Sequence, residues 1–133
     1  PTAALKTLEV MEREKSWEIV TDIGKKINYN WKKMAEKYDL SITIQGLPAL
    51  TSFTINSNNW LHYKTFLTQE MLKNRFLASN TIYVSTAHSK DILERYFRCL
   101  EPIFSTIKKC EDGMNINKYL EGPICYSGFK RTN

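Results

Sequence analysis

The sequence predicts an α+β domain, a small antiparallel sheet of about three strands covered on one face by helices. Three observations lead there. Apolar residues recur at helical spacing through Tyr38, alternate with polar residues over 41–56, and return to helical spacing from Trp60. The first two alternating runs are consecutive, so an antiparallel hairpin is the simplest pairing. A third β-branched run then falls between two helical stretches. The expected order is helix, helix, strand, strand, helix, strand, helix, and 133 residues suit one core.

Each element has its own signal. Ala3, Ala4, Leu5, Leu8, Val10 and Met11 form a short apolar helix. The charged run Glu12-Arg13-Glu14-Lys15 is expected to hold a break. Ser16 is a candidate cap for a second helix over 16–38, because its hydroxyl can accept from an orphan backbone N–H. Ile19, Ile23, Ile27, Trp31, Met34 and Tyr38 mark that helix's buried stripe. Strands are predicted over 41–47 and 50–56, interrupted at Gly46-Leu47-Pro48. Trp60, Tyr63, Leu67 and Met71 place a third helix over 60–74. The run Thr-Ile-Tyr-Val-Ser-Thr at 81–86 reads as a strand. Ser89 is an N-cap candidate with Asp91 in the first turn, opening a helix from 90 to 108 or 109. Pro102 lacks a donor and is expected to kink or split that helix near Phe97 to Arg98. The chain divides into a domain over 1–109 and a loop-rich extension over 110–133, with one helical turn around Asn117 to Leu120. The close, Gly128-Phe129-Lys130-Arg131, is expected to pack on this domain or an adjoining one.

Composition narrows the function classes. Hydrophobic residues make up 42% and charged residues 25%, which argues against a disordered chain. Apolar runs are too short for a membrane span, and no secretory leader opens the sequence. The net charge of +5 is spread evenly, with nine Lys/Arg against seven Asp/Glu over 1–67 and ten against seven over 68–133. Lys25, Lys26, Lys32, Lys33 and Lys37 alternate with acids and read as the wet side of a helix, so nucleic acid is not the expected partner. The three cysteines, Cys99, Cys110 and Cys125, are odd in number and lack paired spacing. His62 and His88 do not complete a zinc set, so no metal site is expected. Three reduced thiols suit a cytoplasmic protein.

Two polar residues near the third strand invite a chemical reading. His88, between strand and helix cap, can be a base in a cleft or a hydrogen-bonded tie between the two elements, and the tie is favoured. The amide of Asn80 can hold a ligand or a turn.

The order of motifs resembles the C-terminal domain of class III aminotransferases, nearest the glutamate-1-semialdehyde aminomutase-like branch. The opening Pro1-Thr2-Ala3-Ala4-Leu5 through Glu12 is similar to the helix that leaves the family's cofactor domain. Thr65 through Arg75, with its Met71-Leu72 pair, resembles a family helix that closes on glycine. Ser85-Thr86-Ala87-His88-Ser89-Lys90-Asp91-Ile92 resembles an S-x-A-H-T-x-x-D-I signature, and Gly46 fits the glycine after the first strand. The match covers residues 1 to about 109.

The resemblance implies the small domain of a fold-type-I enzyme using pyridoxal 5′-phosphate, PLP. It implies that the Schiff-base lysine and phosphate cradle lie in a large N-terminal domain upstream. This chain would complete the substrate cleft, pack on that domain within a homodimer, and be inactive alone. It would contribute no catalytic or cofactor-binding residue. Ser79, Asn80 and Thr81 are the cleft candidates; His88 and Ser89 are structural. Asn80 stands where the aminomutases usually carry an acid, which favours general aminotransfer. Tyr83 replaces the arginine of the ornithine-type branch, and Arg75 replaces the usual glycine. The alternative is a free-standing ligand- or nucleic-acid-binding module using Tyr29, Trp60 and Tyr126 as exposed aromatics.

Overall fold

A computed structural model describes residues 1–128. Helices α1 (Thr2–Glu14) and α2 (Ser16–Lys37) lead into strands β1 (Ile42–Gln45) and β2 (Leu50–Ile55). Helix α3 (Trp60–Lys73), strand β3 (Thr81–Tyr83), helix α4 (Lys90–Glu111) and a short 3₁₀ turn (Ile116–Lys118) complete the chain. The sheet is antiparallel in the order β1-β2-β3. This is the predicted α+β architecture.

Local chemistry sets the boundaries. Lys15 takes the left-handed conformation (φ 48°) between α1 and α2 and breaks the helical run. Ser16 is therefore the first residue of α2 and not its cap, and its hydroxyl caps nothing. Helix α3 ends in a Schellman motif, with Phe76 N–H donating to Met71 C=O and Arg75 N–H to Leu72 C=O, both at 2.9 Å. Arg75 occupies the left-handed position (φ 65°) where the resemblance expects glycine. Ser89 caps α4 by accepting the Ile92 N–H.

Helix α4 stays continuous through Pro102, contrary to a split near Phe97 to Arg98. Pro102 is exposed, so water can reach the carbonyl that its missing N–H leaves free. The third strand stops at Tyr83, short of the predicted 86. Beyond Val84, which still donates to Ala49, the Ser85 N–H turns to the His88 ring and the chain leaves the sheet.

The sheet buries one face. Thr51, Phe53 and Ile55 of β2 are inside, beside the half-buried Ile42, Ile44 and Ile82 of the flanking strands. Trp31 anchors the core, its ring 4.8 Å from Phe53 and its Nε1–H donating to the Tyr96 hydroxyl at 3.1 Å. Phe104, Leu100 and Ile107 of α4 pack into the same core, as do Tyr63, Leu67 and Met71 of α3. Gly24 lets α2 approach the β1–β2 turn, where an added Cβ would lie 1.8 Å from the Pro48 carbonyl oxygen. Thr51 donates to Asn28 at 2.6 Å beside that contact.

Residues after 109 join this body. Cys110 and Ile116 are buried in the core. The Gln69 side chain grips the tail from both ends of its amide, donating to Tyr119 C=O at 2.9 Å and accepting the Glu121 N–H at 2.8 Å. The expected turn near Asn117 is the 3₁₀ segment. The close from Phe129 lies outside the described residues.

Candidate functional site

The helices cover one side of the sheet, so the other side is the surface available for function. On it stand Thr43, Gln45, Ser52, Thr54, Leu50 and Tyr83, with Leu50 44% and Tyr83 76% exposed. Ser79, Asn80 and Thr81 lie at the β3 end of the sheet. Asn80 continues the ladder. Its carbonyl accepts from Phe53 N–H at 2.9 Å, and its Nδ2 donates to Phe53 C=O at 3.0 Å. One Nδ2 hydrogen thus holds the sheet, and Oδ1 accepts from the Ser79 hydroxyl at 3.4 Å, so the second Nδ2 hydrogen and the remaining lone pair of Oδ1 are what Asn80 can offer a ligand. Ser79 Oγ accepts from Thr68 Oγ1 at 3.0 Å, turning it toward α3. Thr81 pairs with Ser52.

His88 accepts the Ser85 N–H on Nδ1 at 3.1 Å, linking the end of the β3 segment to the start of α4. It borders two hollows. One, of about 280 Å³, lies between β3 and α4 over Phe76, Ala78, Ile82, Ile92 and Tyr96. The other, of about 880 Å³, is an open groove between α2 and α4 floored by Ile23, Met34, Leu93 and Phe97.

Shifted ionisable groups lie elsewhere. Lys37 and Tyr38 both bind Glu101, and the Lys37 hydrogen bond holds that carboxyl below its usual range. Tyr63 is pushed up to about 12, first by burial and then by its hydrogen bond to Glu111. Burial also raises Tyr96 and Cys110. The bonds of Lys37 and Tyr38 to Glu101, of Tyr63 to Glu111 and of Trp31 to Tyr96 fix helices to one another. Among the described residues no group of three or more His, Cys, Asp and Glu could hold a metal, and no helix is long and apolar enough to cross a membrane.

PLP needs a desolvated lysine and a cradle of backbone donors for its phosphate. No lysine among the described residues is buried, and no glycine-rich turn opens a helix. The residues present do not fit the cofactor by themselves. Trp60, expected to be exposed, is half-buried with its ring 6.1 Å from Phe53; Tyr29 and Tyr126 are exposed. The five lysines of α2 face solvent. Sequence periodicity did not single out Gly24, Gln69 or Glu111, whose roles depend on partners distant in the chain.

No family model and no curated protein matches this chain. Among solved structures it is similar to the FumI protein of Sphingopyxis sp. MTA144 in its PLP internal aldimine form, with a TM-score of 0.70 at 13% identity. The alignment covers 87% of this chain and 28% of that one. The chain therefore has the fold of a portion of a PLP-dependent enzyme, and it spans just over a quarter of that enzyme's length.

Proposed function

We propose that this chain is the C-terminal small domain of a PLP-dependent class III aminotransferase or aminomutase, of the glutamate-1-semialdehyde aminomutase-like kind. The observation that carries the reading is the fold match, 87% of this chain on 28% of a PLP enzyme. The remaining length of such an enzyme has room for the cofactor-bearing domain.

Uncovered surfaces support it. Helix α1 buries none of its residues, although Leu5, Leu8 and Met11 recur along it and are 63%, 61% and 41% exposed. The sheet leaves Leu50 and Tyr83 open. An adjoining large domain would cover both surfaces and close a cleft over Asn80 and its neighbours. The left-handed Arg75 also supports the motif assignment, since that position favours the glycine of the family helix.

In this reading PLP, held upstream, supplies the electron sink when bound. The present chain supplies packing and one wall of the substrate cleft. Asn80 orients substrate through the polar atoms left over from its sheet contact, and His88 holds the β3–α4 connection. The parent is a cytoplasmic homodimer, and the isolated chain neither retains PLP after dialysis nor transfers an amino group.

Sequencing the coding DNA upstream tests the reading. The expected result is an open frame, continuous with this one, encoding a PLP-lysine domain. A start codon directly before Pro1, with no such frame, overturns it.

A further inference from the structure

The outer edge of β3 carries an inference about what else joins this sheet. In the antiparallel register Asn80 pairs with Phe53, Ile82 with Thr51 and Val84 with Ala49 through hydrogen bonds directed at β2. The intervening residues, Thr81 and Tyr83, consequently turn their N–H and C=O groups away from β2. Because β3 ends the strand order, nothing among the described residues pairs with them. The next outward group, the Ser85 N–H, is satisfied by His88 Nδ1, which marks where the open edge stops.

The edge lacks the charges and prolines that usually protect one. Leu77 beside it is 97% exposed and Tyr83 76% exposed. The apolar hollow of about 280 Å³ lies directly beyond the edge, on the core side of the sheet. Arg95 stacks over Phe76 at its wall, 4.6 Å from ring centre to guanidinium, and makes no ion pair among the described residues.

We infer that this edge takes a fourth, antiparallel strand, supplied by an extended segment of the parent enzyme's remaining polypeptide. The identity of the donor rests on the proposed function; the chemistry of the edge does not. Two residues of the segment would exchange main-chain hydrogen bonds with Thr81 and Tyr83. The residue between them, opposite Ile82, would put an apolar side chain into the hollow. An acidic residue nearby would meet Arg95.

Amide hydrogen exchange tests this in two settings. In the 133-residue chain, Thr81 and Tyr83 should exchange openly. A blocked peptide, Glu-Thr-Thr-Leu-Thr-Thr-Glu, should slow them by about tenfold or more at saturation. N-methylation of the two threonines flanking leucine should abolish that protection, and Ile92→Glu, at the mouth of the hollow, should weaken peptide binding by about tenfold. In the full-length enzyme the same amides should be protected without peptide. The inference is overturned if they exchange freely in the full-length enzyme, or if the peptide leaves them unchanged. It is equally overturned if the isolated chain protects them by dimerising. An upstream frame that encodes a PLP domain alongside unprotected amides would sink the fourth strand and leave the proposed function standing.

Discussion

Replacing Gly24 by alanine tests how the sheet is held against its longest neighbour in sequence. The change has a favourable part. In a helix interior, alanine is better than glycine by about 1 kcal/mol. The unfavourable part is steric. The new Cβ would lie 1.8 Å from Pro48 O, 2.4 Å from its carbonyl carbon and 2.9 Å from its Cα, whereas ordinary contact begins at 3.4 Å. These are backbone atoms of the β1–β2 turn, and no side-chain rotation relieves them. Helix α2 and the turn must move apart by more than an ångström, which also strains the neighbouring Thr51–Asn28 hydrogen bond. Overpacking costs about 1–3 kcal/mol or more, and the lost bond about 1 kcal/mol. The expected net loss is about 2 kcal/mol, a fall in Tm on the order of 5–10 °C. Urea unfolding followed by circular dichroism should show a lower midpoint at unchanged slope. Gly122→Ala, which meets no atom within 4 Å, is the control and should not move the midpoint. A Gly24→Ala variant as stable as the parent would refute the close approach of α2 to the turn.

Three further outcomes follow from the same geometry. Arg75→Gly should stabilise the chain by about 0.5–1 kcal/mol, because the α3 Schellman motif needs a left-handed residue there; an unchanged or lower melting temperature would count against that cap. Tyr63, raised from 10.0 to about 12, holds its proton more tightly when folded, so its contribution is complete below pH 10 and is lost as pH rises toward about 12. Tyr96 shifts in the same direction, so the tyrosinate absorbance of these two should appear well above pH 10, and reversible titration of every tyrosine near pH 10 in the folded chain would contradict it. In the proposed parent enzyme Asn80→Ala should lower kcat/KM by the worth of one hydrogen bond, about 0.5–1.5 kcal/mol, while His88→Ala should lower the melting temperature and spare the kinetics; loss of chemistry in His88→Ala at unchanged stability would reverse the two roles.

The parts of this fold that could be read from sequence are those encoded by period. Alternation at Ile42 and Ile44, and again at Thr51, Phe53 and Ile55, yields the hairpin and its buried face. The stripe through Ile27 and Trp31 yields the inner side of α2, although Ile19 at its start is 40% exposed and the buried residues of the helix begin at Gly24. What failed was decided by single backbone states or by distant partners. A left-handed Lys15 displaced Ser16 from its cap, and the His88 ring drew Ser85 out of the third strand. The packing of the tail depends on Gln69, about fifty residues away, and leaves no periodic trace. For the candidate site, Ser89 was readable as a cap because the requirement is local. The sheet contact of Asn80 was not, because its acceptor lies on another strand.

The most direct measurement of the central claim is the size and cofactor content of the natural product that contains this sequence. An antibody raised against the chain should isolate it from its source for intact mass and absorbance. The expected product is a polypeptide several-fold longer than 133 residues, carrying stoichiometric PLP on a lysine upstream of Pro1. A free polypeptide of about 15.5 kDa without PLP would contradict it.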